Sequence, residues 1–351
     1  MTETTVQAGA LAPAAGRRVT PTGRLILDHT APRDVWLDAR RLGIGSSDLP
    51  AVLSLSGFKT PQHVYYDKRG ELPHDDEFSE AAHFGTIFEE PLALDWARRT
   101  RTVVERIGVI ANVDEPWQMC SLDRLCTECP YDRTTRSLCA LEVKCRNAFV
   151  AKLWRTGPPD DVLAQVLWQI LVTGLDHVHV MCLIGGNDPR MYTVRREDHT
   201  KLVAYIHAEA SRLWFEHIVP GRPPAVSGGE PPDALIELYD RLHPDRDGVV
   251  VMDRDGDAQG DLSEYLRAVA DRGEAEKRRK TYKARLLAHL GGAQAATVMD
   301  RPFFSIEQSM RETADLERLR AEFPEAYAAC VADKPQDRLS IPKNIREEYQ
   351  L

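Results

Sequence analysis

The sequence predicts a mixed α/β fold, in which a mixed β-sheet carries helices on its faces. Two observations predict it. Three β-prone runs follow a helical stretch, and a second helical stretch separates them from two further β-prone runs. This order of elements is typical of a mixed sheet with helices packed on it. The remainder of the chain predicts a mainly helical C-terminal extension.

Each predicted element rests on the spacing of its apolar residues. Helices repeat apolar residues every three or four positions, and strands are short β-prone runs between turn residues. The predicted helices cover two short segments within residues 36–57, then residues 61–69, 80–99, 160–174, 200–217 and 261–290. The predicted strands cover residues 103–113, 117–125, 138–144, 177–184 and 191–196. Pro91 lies inside one helical pattern, so that helix either kinks or begins near the proline.

Composition shifts divide the chain into four parts. Residues 1–30 are rich in Ala, Gly, Pro and Thr without apolar periodicity, which predicts a mobile tail. Residues 31–219 hold the alternating helices and strands of the core domain. A Pro- and Gly-rich stretch, residues 220–233, predicts a linker. Residues 234–351 form a mainly helical C-terminal region to which the sequence assigns no role.

The composition is that of a globular protein and excludes several classes. The 351 residues are 43% hydrophobic and 28% charged, which is incompatible with a disordered or collagen-like chain. No apolar stretch is long enough to cross a bilayer, and the N-terminus lacks the pattern of a signal peptide. We therefore expect a cytoplasmic protein with no membrane partner. The formal net charge of −9 disfavours a protein that coats nucleic acid by bulk charge.

The third predicted strand carries the first chemical signal. Alternate residues of a strand point to the same face, so Glu142 and Lys144 project together while Val143 points the other way. If the preceding strand pairs with this one, Asp123 can lie beside Glu142. Two neighbouring carboxylates repel each other unless a cation lies between them, and oxygen ligands favour Mg²⁺ or Mn²⁺. An exposed ion pair between Glu142 and Lys144 is the alternative interpretation.

The helix that follows carries the second signal. Gln165 and Gln169 are four residues apart, so they are neighbours on one face of an otherwise apolar helix. They either contact a polar site or complete an exposed stripe with Asp161.

These residues occur in an order that resembles the YqaJ-like viral recombinase family. That family is similar to the phage lambda exonuclease within the PD-(D/E)XK nuclease superfamily. The resemblance covers about residues 34–215. The matching motifs are, in chain order, Trp36-x3-Arg40 with Gly43-Ile44-Gly45-Ser46-Ser47-Asp48, Phe84-Gly85-x3-Glu89, Asp123 before Glu142-Val143-Lys144, Gln165-x3-Gln169, and Val172-Thr173-Gly174-x-Asp176 before a strand that ends Ile184-Gly185-Gly186.

The resemblance implies a PD-(D/E)XK restriction-endonuclease-like core, with residues 31–219 as the nuclease domain. It implies two Mg²⁺ ions, for which Mn²⁺ could substitute, held by Glu89, Asp123, Glu142 and the backbone carbonyl of Val143. Lys144 is implied to orient the attacking water, and Gln165 to lie near the catalytic centre. Glu90 is the alternate to Glu89 as the metal-binding glutamate of the helix. Gln169 is a further candidate near the catalytic centre.

The resemblance also implies where DNA binds. Arg40 and Ser47 fall where family members bind the terminal 5′-phosphate of a DNA strand, and a guanidinium and a hydroxyl suit phosphate oxygens. A surface arginine and a helix N-cap serine are the plainer alternative. The last candidates, Arg98, Arg99 and Arg101, could line a DNA path or simply stabilise a helix end.

Two residues around Asp123 depart from the family pattern. Leu122 stands at the position of the usual proline, and Arg124 stands at the position of the usual glycine. Neither change removes a ligand, but we expect the backbone there to follow a different path.

The chain has seven cysteines and no export signal, which indicates a reducing compartment. Four of them could hold a structural Zn²⁺: Cys120, Cys126, Cys129 and Cys139. Because no second CxxC pair is present, we expect free thiols in the core instead. We expect His177 and His179 to be ordinary strand residues and not metal ligands, since no carboxylate partner is close in sequence.

The predicted function is that of a metal-dependent DNA exonuclease of phage or prophage origin. By resemblance, it digests one strand of linear double-stranded DNA from the 5′ end and leaves the other strand for a single-strand annealing protein. Related exonucleases form rings, so a homo-oligomer is compatible with the resemblance. Two alternatives remain: an endonuclease with the same core, and a non-catalytic scaffold that binds DNA ends. Retention of every acidic position and of Lys144 argues against the scaffold.

Overall fold

The structure of the protein is a computed structural model. It describes residues 16–73, 79–129, 131, 138–252, 256–310, 313–332 and 339–348. The chain divides into two compact units, Met1–Arg246 and Asp247–Leu351.

The first unit is a mixed α/β domain built on two sheets. In chain order it contains β1 (Gly23–Leu27), α1 (Arg33–Arg40), α2 (Leu49–Val52), α3 (Pro61–Lys68), α4 (Glu80–Thr100), β2 (Val104–Glu105), β3 (Val109–Asn112), β4 (Met119–Ser121), β5 (Arg124–Cys126), β6 (Cys139–Arg146), α5 (Asp160–Thr173), β7 (His177–Ile184), β8 (Asp188–Arg195), α6 (Thr200–Arg212) and α7 (Pro232–Leu242). The larger sheet has the order β2-β5-β6-β7-β8, with β6 and β7 parallel and all other neighbours antiparallel. The smaller sheet, β1-β3-β4, is antiparallel. The predicted mixed α/β fold is confirmed.

The larger sheet separates two apolar cores because successive side chains of its strands point to opposite faces. Ala140 and Val180 belong to the main core, which contains most of α5. Leu141 and Met181, their neighbours along the strands, belong to a smaller core with Trp96 of α4. Both faces of β6 and β7 are therefore covered, and a polar side chain on either strand needs a partner inside the protein.

Helix α5 ties the two sheets together. The indole N–H of Trp168 donates to the carbonyl of Ile44 at 3.2 Å and to that of Met119 at 3.0 Å. The helix ends at Gly174, whose φ is 70°, and a Cβ there would lie 2.7 Å from Thr22 Oγ1. Only glycine suits that combination of backbone conformation and close approach.

Helix α4 passes through Pro91 without ending. It begins after Ser79, whose Oγ accepts the N–H of Ala82 at 3.2 Å. It ends at Arg101, which adopts the left-handed conformation with φ 55°. The alternative in which this helix begins near the proline is wrong, and the middle of α4 is available to carry functional side chains.

Part of the expected N-terminal tail is a strand. Residues 23–27 form β1 and pair with β3, with Gly23 opposite Asn112 and Leu27 opposite Val109. Residues 23–27 form a strand because β3, more than 80 residues later in the chain, pairs with them. Local composition does not reveal such a distant partner. Residues 1–15 of the expected tail lie outside the described residues.

The expected linker, residues 220–233, packs on the first unit. The side-chain amide of Gln62 donates to the carbonyl of Ala225 at 2.9 Å. Helix α7, expected in the C-terminal region, packs against Leu72 in a small apolar cluster of the first unit. The division between the units therefore falls later than the composition suggested, after Arg246, because tertiary contacts hold the Pro-rich segment in place.

The second unit consists of α8 (Asp257–Leu290), a hairpin of β9 (Ala295–Val298) and β10 (Arg301–Ser305), α9 (Leu316–Glu322), α10 (Pro324–Cys330) and α11 (Lys343–Glu348). In α8 only Leu290 is buried. Its charged residues pair along the helix, as Glu276 and Arg279 do at 2.8 Å. This pattern is typical of a solvated helix. Within the described residues of both units, every helix is too short or too polar to cross a membrane.

Candidate functional site

Two carboxylates meet where β5 pairs with β6. Asp123 comes directly before β5, and the antiparallel register places Arg124 opposite Leu141, so Asp123 lies beside Glu142. The backbone N–H of Val143 donates to Asp123 Oδ2 at 2.7 Å. The structure therefore contains the strand pairing on which the predicted carboxylate pair depends.

Glu142 is held from three sides. Its side chain is 1% exposed. Gln165 Nε2 donates to Glu142 Oε1 at 2.6 Å, and Gln169 Nε2 donates to Glu142 Oε2 at 2.7 Å. Lys144 Nζ forms an ion pair with Oε1. The glutamines thus face the carboxylate and are not part of an exposed stripe, and the ion pair is not a surface pair.

The electrostatics of the site favour a bound cation. Burial, and then the charge of Glu142, raise the pKa of Asp123 well above its usual range. Burial alone would lower the pKa of Lys144, but Glu142 and Asp123 outweigh it and raise that pKa. Lys144 is therefore protonated at neutral pH, and positive charge added near Asp123 would favour its ionised form. Two adjacent carboxylates with oxygen-only donors fit Mg²⁺ or Mn²⁺.

Arg124 connects the two glutamates of α4 to this site. Its side chain is 3% exposed, and Nη1 donates to Glu89 Oε1 at 2.6 Å while Nη2 pairs with Glu90 Oε2. The charge of Glu89 also raises the pKa of Asp123, so this glutamate lies within electrostatic reach of the carboxylate pair. The sequence identifies Arg124 only as a departure from the family pattern. The contact with two carboxylates 34 and 35 residues away becomes visible only in the fold.

A cleft of about 430 Å³ opens beside the carboxylates, and Trp36, Glu89, Arg106 and Asp123 line it. The guanidinium of Arg40 lies 4.7 Å from the centre of the Trp36 ring. Arg40 also donates a hydrogen bond to Ser47 Oγ. The fold thus brings the two predicted phosphate-binding residues into contact, next to a residue that lines the cleft.

A buried charge network supports Arg40. Lys68 Nζ is fully buried, lies 2.7 Å from Asp48 Oδ2 and donates to the carbonyl of Arg40 at 2.9 Å. Burial would raise the pKa of Asp48, but the charges of Lys68 and Arg40 outweigh it and hold that pKa below its usual value. Sequence reasoning overlooked Lys68. Lys68 ends α3, about 20 residues after Asp48, so no local pattern in the sequence pairs the two.

The structure is compatible with both interpretations of the arginines at the end of α4, a DNA path and a solvated helix end. Arg98, Arg99 and Arg101 are all exposed. Arg99 Nε donates to Asp95 Oδ2 at 2.6 Å, one helical turn away. This contact is what a solvated helix end requires, and the exposure is also compatible with a DNA path.

The four cysteines that the sequence offered as an alternative zinc set do not come together, and all four are buried free thiols, as expected. Cys120 belongs to the main core, whereas Cys126, Cys129 and Cys139 belong to the smaller core on the α4 side. The ring of His177 instead reaches Cys129, with Nε2 3.1 Å from Sγ. Burial, and then His177, lower the pKa of His179 to about 3, so that imidazole is neutral. Both histidines lie on β7, as expected, and their rings are in contact with centroids 4.9 Å apart. The strand also turns both rings towards Cys129, a contact that sequence distance conceals.

Comparisons with known proteins identify the segment that holds the site. The profile of the YqaJ-like viral recombinase domain matches residues 35–176. The uncharacterised protein YqaJ of Bacillus subtilis (strain 168) is 24% identical over 304 residues, which are 84% of this chain and 89% of that protein. The crystal structure of the alkaline exonuclease LHK-Exo from Laribacter hongkongensis aligns at 18% identity with a TM-score of 0.41, over 52% of this chain and 91% of its own. The complex of LHK-Exo with dAMP aligns at 18% identity with a TM-score of 0.43, over 59% and 96%.

The motif order and the profile match agree on one segment. It contains Arg40, Ser47, Glu89 and the pair of Asp123 with Glu142. The resemblance seen in the sequence is therefore confirmed: the profile of the YqaJ-like viral recombinase domain matches residues 35–176, the part of the chain that holds these residues.

Proposed function

We propose that this protein is a metal-dependent deoxyribonuclease that hydrolyses phosphodiester bonds of linear double-stranded DNA from its 5′ ends, in phage-type recombination. The observation that carries the proposal is the contact of Asp123 with the strand of buried Glu142, next to Lys144 on the same face. Adjacent carboxylates with a nearby cationic donor suit metal-assisted hydrolysis of a phosphodiester.

Each residue of the site has a proposed task. Asp123, Glu142 and the carbonyl of Val143 would hold Mg²⁺ or Mn²⁺. When bound, such ions polarise the scissile phosphate and stabilise the leaving oxygen. Lys144 is protonated, so it orients the attacking water by donating a hydrogen bond and does not accept the proton of that water. The hydrogen bonds from Gln165 and its neighbour one turn away hold the carboxylate of Glu142 in one orientation.

Glu89 serves two partners in this proposal. Its Oε1 accepts a hydrogen bond from Arg124. A carboxylate offers about four lone-pair sites, so it can contact a guanidinium and a metal ion together. We therefore keep Glu89 in the proposed ligand set for a second ion and assign Glu90, which pairs with Arg124 and Arg106, to support of the arginine.

The affinity for the metal is expected to fall as the pH falls. The pKa of Asp123 is raised, so its proton is retained to higher pH than in an ordinary aspartate, and a protonated carboxyl does not bind a divalent cation. Protons and Mg²⁺ then compete for the site. The concentration of Mg²⁺ that gives half-maximal cleavage should rise from alkaline to mildly acidic buffer. A half-maximal concentration that does not depend on pH would contradict the role of Asp123.

Recognition of the 5′-phosphate is the second expected property. Wild-type protein should digest a linear duplex with 5′-phosphate ends faster than one with 5′-hydroxyl ends, because Arg40 contacts Ser47 and its guanidinium lies over the ring of Trp36, which lines the cleft. Arg40→Ala should slow the phosphorylated substrate by roughly 10- to 100-fold, since a hydrogen bond to a charged group contributes about 1.5–3 kcal/mol, and should abolish the preference. Arg212→Ala is the control, because Arg212 is exposed on α6, pairs with Glu209 and takes no part in this contact. Equal rates on both substrates in the wild type would remove Arg40 and Ser47 from the proposal.

An endonuclease with the same core is the second candidate function. The contact between Arg40 and Ser47 favours the end-dependent enzyme, because an endonuclease has no use for a terminal phosphate site. The single-strand annealing partner and the ring-shaped homo-oligomer remain predictions from the resemblance.

A further inference from the structure

We propose that Cys129, Cys139, His177 and His179 bind a structural Zn²⁺ ion, separate from the oxygen-ligand site. Successive residues of a strand point to opposite faces. On β6, Glu142 points towards the α5 side, and Cys139 points towards the α4 side. The cysteine and histidine cluster therefore lies on the opposite face of the sheet from the carboxylate pair.

The four side chains are already close enough to share one ion. One ligand atom from each residue lies within 4.8 Å of all the others. Cys129 Sγ is 3.1 Å from His177 Nε2 and 3.9 Å from His179 Nε2. In a tetrahedral zinc site with ordinary bond lengths, ligand atoms are about 3.3–3.8 Å apart. Small side-chain movements bring the observed cluster to that geometry.

The chemistry of the donor set selects zinc. Two thiols and two imidazoles form one of the common structural sets for Zn²⁺, and soft sulfur ligands disfavour Mg²⁺. All four side chains are buried, between 0% and 7% exposed. Structural zinc sites are closed in this way, whereas a catalytic site keeps an open position.

The surroundings of His179 fit a ligand. Its Nδ1 lies 3.0 Å from Thr193 Oγ1 on β8, and its Nε2 faces Cys129. A ligand histidine usually uses its second ring nitrogen for such a hydrogen bond, which fixes the orientation of the ring. Trp96 packs against the same ring, with centroids 5.2 Å apart, and helps to exclude water.

The ion would join three parts of the sheet. Cys129 follows β5, Cys139 begins β6, and the two histidines lie on β7. The site thus links the strand that positions Asp123 to the central parallel pair. Cys126 is opposite Cys139 in the register of β5 and β6, but it is outside the group whose ligand atoms converge.

Metal analysis of the full-length chain tests the proposal. The protein is purified without chelator or added metal, and elemental analysis should find one zinc ion per chain. Cys129→Ser and His177→Asn should each lose that zinc. Cys182→Ser is the matched control, because Cys182 is a buried thiol on β7 that points into the opposite core, and it should retain the zinc. Cys126→Ser should retain it as well.

Cobalt substitution gives a second readout that does not depend on activity or on the variants. Co²⁺ bound by two thiolates and two imidazoles shows visible bands of tetrahedral cobalt and thiolate-to-cobalt charge-transfer absorption, which an all-oxygen site does not produce. Folded wild-type protein without zinc, and without this absorption after addition of Co²⁺, overturns the proposal. Iron in place of zinc also overturns it, and loss of zinc in Cys126→Ser with retention in His177→Asn overturns the ligand set.

Discussion

Asp123→Asn and Lys144→Ala should each reduce DNA cleavage by roughly 10²- to 10⁴-fold, the range expected for loss of a charged catalytic group. Asn keeps the shape of Asp123 and its contact with the N–H of Val143, but it removes a metal-binding charge. Ala removes the cationic donor next to Glu142. Cleavage is measured as Mg²⁺-dependent release of nucleotides from a linear duplex.

The folded state should survive both substitutions. The raised pKa of Asp123 means that its ionised form is unfavourable in the folded protein without a cation, so the neutral amide does not destabilise the fold. Lys144→Ala leaves Glu142 without its cation but with both glutamine hydrogen bonds. Lys152→Ala, at an exposed lysine after β6, is the control and should cleave like wild type. Wild-type activity in Asp123→Asn or Lys144→Ala would refute the assignment of the site.

Asp48→Asn should lower the free energy of unfolding by roughly 3 kcal/mol, because removal of one partner of a buried ion pair leaves the other charge poorly compensated. The charge left behind is Lys68, whose side chain is fully buried 2.7 Å from Asp48 and keeps only the more exposed carboxylate of Asp67, 3.5 Å away. Asn preserves the size of the side chain, so the change isolates the charge. The free energy is measured by urea unfolding.

The same pair predicts a pH dependence of stability. The folded-state pKa of Asp48 is lowered, so its contribution is present above the unfolded-state pKa of about 3.9 and is lost as the pH falls through the lower folded-state value. Asp95→Asn, which breaks the surface pair with Arg99, is the control and should change stability by less than about 1 kcal/mol. If Asp48→Asn is as stable as this control, the buried pair does not have the stabilising role assigned to it.

The spacing of apolar residues and the positions of turn residues predicted the helices and strands that depend mainly on local sequence. The strand at residues 177–184 and the helix that ends before Gly174 follow from apolar spacing and turn residues. The Glu142-x-Lys144 alternation and the pair of glutamines one turn apart predicted side chains that meet in the fold. In these cases, local sequence and tertiary contacts impose the same arrangement.

The remaining features depend on contacts between distant segments. Residues 23–27 become a strand only because β3 is available as a partner. Arg124 pairs with glutamates on a helix that precedes it by about 35 residues, and His177 meets Cys129 across 48 residues. A sequence pattern contains no signal for such pairs, since each depends on how the sheet brings separate strands and helices together.

The proposed function has the carboxylate pair hydrolyse DNA from free ends with a divalent metal. The most direct measurement is digestion, by wild type and Asp123→Asn, of a linear duplex and of the same sequence as a covalently closed circle. Both substrates are incubated with Mg²⁺ and with EDTA. Wild type should degrade only the linear DNA, only with Mg²⁺, and Asp123→Asn should degrade neither. Nicking of the circle, or degradation of the linear DNA in EDTA, would contradict the proposed function.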